Sequence, residues 1–117
     1  MKSFNKVQSL KEIAKNLKIL YVEDDTDLRE RTTKFFMKIF GHVDTAADGE
    51  EGLKLYTQNY QERYKYHDIV ISDIYMPNLD GIAMSKAILE MNKEQKIIIM
   101  SATEERKYLV DIIHLGI

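Results

Sequence analysis

Apolar residues recur along this chain in two alternating periods, and the alternation lays out its elements. Between residues 3 and 16, Phe4, Val7, Leu10, Ile13 and Ala14, with Leu17 beyond, fall at steps of three and four. Lys2, Lys6, Lys11 and Lys15 lie off that stripe, as on an amphipathic helix. KILYV at 18–22 is strand-like and runs straight into Glu23, Asp24 and Asp25. Thr26 is a candidate cap for a helix continuing from Arg29 to Phe40, with Leu28, Phe35, Phe36 and Ile39 on its apolar side and Gly41 at its end. His42 to Ala46 reads as a short strand, Asp48-Gly49 as a turn, and Glu50 to about Arg63 as a helix carrying Leu53, Leu55, Tyr56 and Tyr60. Ile69 to Ser72 is apolar or small throughout, as suits a strand buried on both faces. Pro77 breaks it, Asp80-Gly81 opens a helix over Ile82 to Met91, and KIIIM at 96–100 is a further doubly buried strand. That strand ends in Ser101, Ala102 and Thr103. A last helix starts at Thr103 and Glu104, carries Tyr108, Leu109, Ile112, Ile113 and Leu115, and takes Gly116 as its C-cap.

One helix followed by four strand–helix units implies an α/β domain with a parallel sheet and right-handed crossovers. The organisation is an N-terminal helix over 1–17 and one domain over 18–117. That helix docks on its own domain or presents a partner surface. A length of 117 residues supports a single core. A net charge of -2 supplies no basic footprint for direct nucleic-acid binding. The absence of cysteine excludes disulfides and thiolate metal sites and fits a reducing, cytoplasmic compartment. No apolar run reaches membrane-spanning length, and Lys11, Glu12, Lys15 and Lys18 interrupt any signal-peptide core.

The chemistry gathers where strands end. All carboxyl ends of a parallel sheet share one edge, the edge at which open α/β folds build their sites. Here three strands end in polar groups: Glu23 and Asp24, then Asp73, then Ser101. Asp73 follows a buried strand directly, and an unpaired buried carboxylate costs several kcal/mol, so packing does not explain it. Crowded carboxylates raise one another's pKa, and a hard oxygen-seeking cation such as Mg²⁺ relieves them. It would keep Asp73 ionised as a nucleophile, with the Ser101 hydroxyl available to a phosphoryl oxygen. Singly, these residues read as a solvated loop, a cap or a turn; their convergence on one edge carries the functional reading. His42, His67 and His114 lack ligand spacing and read as surface or packing residues.

ILYVEDD at the first strand, AADGEEGL after the second, IVISDIYMPNLDG at the third and IIIMSA at the fourth resemble the receiver domain of two-component response regulators. The resemblance to this chemotaxis-type phosphoacceptor fold runs from Lys18 to Gly116. It implies a flavodoxin-like three-layer sandwich with sheet order 2-1-3-4. It implies that a histidine kinase, a phosphotransfer protein or a small acyl phosphate phosphorylates Asp73. Asp24 would bind Mg²⁺ directly, Glu23 through water, and the Tyr75 backbone carbonyl would be a further ligand. Ser101 would be the switch hydroxyl, and the side chains of Tyr75 and Thr103 would tune loss of the phosphoryl group. The domain would be a self-phosphorylating and self-dephosphorylating switch, not a metabolic enzyme.

Two departures stand out. Glu23-Asp24 replaces the family's usual Asp-Asp. The sequence also ends at Ile117, before the fifth strand with its lysine and aromatic switch residue, and before the fifth helix. None of Lys93, Lys96 or Lys107 sits where that lysine would. These departures lead to an expectation of an exposed apolar edge at KIIIM and a partly bare sheet face, with the N-terminal helix covering that face or two chains pairing across the edge in a homodimer. They also keep open a non-phosphorylated interaction or dimerisation module on the same fold. A haloacid-dehalogenase-type phosphohydrolase would need a second acid where Tyr75 stands. A nucleotide-binding flavodoxin-like protein would need a glycine-rich loop where Glu23-Asp24-Asp25 stands.

Overall fold

The computed structural model describes residues 2–100, leaving aside the side chains of residues 2–5 and 7. In order, the elements are α1 (Lys2–Lys15), β1 (Lys18–Val22), α2 (Thr26–Met37), β2 (His42–Ala46), α3 (Gly49–Arg63), β3 (Ile69–Ser72), α4 (Gly81–Met91) and β4 (Lys96–Ile99). The strands pair in parallel in the order β2-β1-β3-β4, the flavodoxin-like order expected. The expected last helix from Thr103, with Ser101 and the Gly116 cap, lies outside the described residues. Among the described residues, no helix is long and apolar enough to cross a membrane.

The central strands β1 and β3 explain the continuous apolar runs. Side chains alternate between the faces of a strand, so every second residue enters a different layer. Leu20, Val22 and Val70 join Tyr56, Met84, Ile88 and Ile97 on the face covered by α3 and α4. Ile19, Tyr21 and Ile71 join Phe36 of α2 on the other. The Tyr21 and Phe36 rings meet edge to face at 5.2 Å, a geometry worth roughly 0.5–1.5 kcal/mol beyond the area it buries.

Several local expectations change. Asp25, not Thr26, caps α2: its carboxylate accepts the Leu28 amide at 3.0 Å. The helix stops at Met37 rather than Phe40. Of its apolar set only Phe36 is buried; Phe35 is 60% exposed, and Leu28 and Ile39 also reach solvent. Phe36 is the residue of this set that packs on Ile19, Tyr21 and Ile71 of the sheet. In β4 only Ile97 is buried and Ile98 is 48% exposed, so the strand is not doubly buried within the described residues. It pairs with β3 alone there. α1 forms; of its apolar stripe, Leu10 and Ile13 are 66% and 56% exposed, while Leu17, just beyond it, packs against the cluster of Ile19, Tyr21 and Phe36.

At the amino edge of the sheet a polar network ties β1, β2, α3 and the β3 approach together. Asp44 Oδ2 meets His67 Nε2 at 2.8 Å, and its Oδ1 meets His42 Nε2 at 2.8 Å. Lys18 Nζ stands 3.7 Å from Asp44 and donates to Asn59, and the Lys18 amide donates to Asp68 at 2.7 Å. Burial alone would raise the Asp44 pKa, but hydrogen bonds from His67 and His42 and the Lys18 charge outweigh it and lower the value. His67 is fully enclosed, and its Nδ1 has no hydrogen-bond partner among the described residues. An imidazolium would need a second acceptor there. Burial therefore lowers the His67 pKa despite the pull of Asp44.

This fixes the sign of a pH effect. Unfolded His67 takes up a proton near its ordinary value of 6.5 while the folded residue resists. The unfolded state binds more protons as pH falls through that range, so stability drops. Urea unfolding at pH 7.5 and 5.5 should show wild type losing up to roughly 1 kcal/mol more than His67→Gln over that interval. Equal losses in the two proteins would show that His67 titrates normally.

Candidate functional site

Two strand ends build the site. In the parallel register of β1 and β3, Val22 lies opposite Ser72. The next residues, Glu23 and Asp73, therefore leave the sheet side by side. The Asp73 amide donates to the Val22 carbonyl at 3.1 Å, and the Glu23 amide to Ala46 at 3.0 Å. Asp24 follows Glu23 over the edge. Carboxylate oxygens of Glu23, Asp24 and Asp73 all lie within 4.8 Å of one another. Glu23 is buried, Asp73 half-buried and Asp24 exposed.

Among the described residues no basic side chain forms an ion pair with these three acids. Arg29, on the first turns of α2, donates instead to the Glu23 backbone carbonyl at 2.7 Å. Burial raises the Glu23 pKa; the Asp25 amide opposes this, and Asp24 and Asp73 push it further up. Burial likewise raises the Asp73 pKa against the Ile74 amide, which donates to Oδ1 at 2.8 Å, with Asp24 adding to the rise. Three converging oxygen donors with uncompensated charge fit a hard divalent cation.

The β3–α4 loop walls the site. Tyr75, Met76, Pro77 and Asp80 line, with Asp24, an open cleft of about 380 Å³. Gly81 holds the loop's base. Its amide donates to Ile74 at 2.8 Å, and a Cβ there would stand 2.0 Å from the Asp73 carbonyl oxygen, so only glycine lets α4 start against the acidic strand end. Asp80 caps α4 through the Ala83 amide at 2.8 Å.

Of the residues singled out from sequence, Glu23, Asp24 and Asp73 come together and Tyr75 lines the adjoining cleft. Ser101 and Thr103 lie outside the described residues. Sequence reasoning missed Arg29, whose only signal was a cation six residues after Glu23. It also missed the pairing of Asp48 with Asn78, which are 30 residues apart.

A family model for the response regulator receiver domain matches residues 19–117. The chain belongs to this family. It is 34% identical over 95 residues to a probable C4-dicarboxylate response regulator, DctR, of Bacillus subtilis, covering 80% of this chain and 39% of that protein. It is 31% identical over 107 residues to a probable chemotaxis protein CheY of Rhizobium etli, covering 89% of this chain and 78% of that one. The chain thus spans well under half of the DctR relative. Among solved structures, the CheX–CheY–BeF3–Mg²⁺ complex of Borrelia burgdorferi aligns with TM-score 0.75 and 34% identity, over 86% of this chain and 72% of that one. The receiver domain is a module of two-component signalling, a switch rather than a metabolic enzyme. The dehalogenase-type and nucleotide-binding readings fall with this membership.

The raised Asp73 pKa has a consequence for stability. A carboxylate whose folded pKa exceeds its unfolded value adds stability below the unfolded pKa and loses it as pH rises through the folded one. At neutral pH the ionised group is therefore a net burden. In Mg²⁺-free buffer at pH 7.5, Asp73→Asn should raise the thermal midpoint by a few degrees, about 1 kcal/mol. A lowered midpoint would mean that the wild-type acid is already well compensated.

Proposed function

We propose that this domain accepts a phosphoryl group on Asp73, from a histidine kinase, a phosphotransfer protein or a small acyl phosphate, with Mg²⁺ as its cofactor. The observation that carries the reading is the convergence of three carboxylates on one strand edge with, among the described residues, no basic counter-charge. Glu23, Asp24, Asp73 and the Tyr75 carbonyl would hold the ion, with Glu23 acting through water. Bound Mg²⁺ would supply positive charge against the acids and the phosphoryl oxygens. The Ile74 amide fixes Oδ1 of Asp73, which leaves Oδ2 as the nucleophile. Oδ2 forms the new bond to phosphorus as the bond from phosphorus to the donor nitrogen or oxygen breaks, and the leaving group carries away the electron pair. That Mg²⁺ and BeF3, which mimics a phosphoryl group, accompany a CheY relative supports the assignment.

The acyl phosphate adds about -1.5 to -2 of charge at the edge, and Ser101 is the hydroxyl that would turn toward it. The surface around the helix after β4 would change with it. The receiver unit spans 18–117 and the helix of 1–17 is an appendage to it. It works in the cytoplasm, without direct contact to nucleic acid or membrane. A second reading, an interaction module that pairs two chains without phosphorylation, is favoured by the exposed Leu10 and Ile13 of α1 and by Ile98 on β4.

Intact mass after incubation with acetyl phosphate separates the two. The phosphoacceptor reading expects one added phosphoryl group that requires Mg²⁺ and disappears in Asp73→Asn. No gain under any condition, together with a dimer in solution, would favour the interaction module.

A further inference from the structure

The wall of the acidic cleft is anchored to a helix that contributes no acid to it. At the far end of the β3–α4 loop, the Asn78 side-chain amide donates to Oδ2 of Asp48 at 2.7 Å. The other oxygen of Asp48 accepts the Glu51 amide at 2.8 Å and caps α3. The next residue, Gly49, donates its amide to the Leu79 carbonyl at 3.0 Å. A Cβ on Gly49 would stand 2.1 Å from that same oxygen, so the two backbones touch. Asn78 itself has φ 68, and the Leu79 amide donates to Pro77 at 2.8 Å. An amide bonded two residues back across a positive φ is a tight, strained turn that neighbouring structure must hold.

We propose that Asp48 and Asn78 form a clamp that sets where the Tyr75–Pro77 wall stands over the acidic cluster. Asp48 is a positioning residue for the cation and phosphoryl site. One carboxylate does two jobs: Oδ1 fixes the start of α3, and Oδ2 refers the strained turn to that fixed point. Gly81 pins the loop's base to β3, and the clamp pins its tip to α3. Tyr75, Met76 and Pro77, between the pins, are thereby held against the cleft that opens on Asp24. Outer groups that orient a ligand-bearing segment typically carry a large share of metal affinity.

This rests on the phosphoacceptor reading, and the test keeps the two apart. Asp48→Ser retains one oxygen to cap α3 and lacks a second for Asn78. Asn78→Gly keeps the positive φ at no steric cost and lacks the amide. Mg²⁺ is titrated into wild type, each single variant and the double variant, followed by the backbone amide shifts of Glu23, Asp24 and Asp73. Each single substitution should raise the Mg²⁺ dissociation constant roughly tenfold, and the double variant no further. Phosphorylation by acetyl phosphate should slow at limiting Mg²⁺ and recover at saturating Mg²⁺, a split that plain destabilisation would not produce. If wild type fails to bind Mg²⁺, the phosphoacceptor reading falls and takes the clamp's role with it. If wild type binds and the variants bind equally well, or the two effects simply multiply, the clamp alone is overturned.

Discussion

Val22 and Ser72 face each other in adjacent parallel strands, and the rest of the site depends on that one register. Parallel pairing sends β1 and β3 out of the sheet at the same edge. Equal register makes Glu23 and Asp73 emerge together, with Asp24 one step beyond. A slip of one residue would turn every side chain of β3 to the other face. It would carry Val70 out of the core beneath α3 and α4 and take Asp73 away from Glu23. The hydrophobic core therefore guards the geometry of the acids: Leu20, Val22 and Val70 on one face, and Ile19, Tyr21 and Ile71 on the other, oppose a slip by one residue.

The two edges of the sheet hold their charges differently. At the amino edge, Asp44 is surrounded by His67, His42 and Lys18, and its pKa is lowered. That acid is satisfied within the fold and works as a tie between strands. At the carboxyl edge, burial raises the pKa values of Glu23 and Asp73, and the neighbouring acids add to the rise instead of opposing it. A fold keeps such a cluster at a cost in stability, and the cost is recovered only when a cation or a proton arrives.

Aspartate also does quieter work around the same edge. Asp25, Asp48 and Asp80 each cap the helix that follows a strand. Each such cap is worth typically about 1 kcal/mol. Their negative charge suits the helix N-termini, which carry partial positive charge. The acidic character of this edge thus has two origins: caps that hold the first amides of the helices, and a triad that, among the described residues, has no basic partner. Glycine supports both, since Gly49 and Gly81 let backbones approach to distances that no side chain would permit.

Much of this was open to reading from residue order. The β-branched run Ile69–Ile71, the stop at Asp73 and the Asp-Gly pairs at 48–49 and 80–81 act through neighbours within a few positions. They placed the strands, the helix starts and the acids at the strand ends. The strand order came through resemblance to a known family, because local pattern alone says parallel but not which strand lies beside which. Other features were settled only when segments met. Phe35 and Phe36 are equivalent in composition, yet one is exposed and the other buried, because only one points at the sheet. Leu10 and Ile13 make an apolar stripe whose place no periodicity can assign. His67 pairs with Asp44 and Asn78 with Asp48 across 23 and 30 positions. Periodicity and capping are properties of a single segment and are written in its order. Burial and side-chain pairing belong to two segments at once, and the chain's long-range packing decides them.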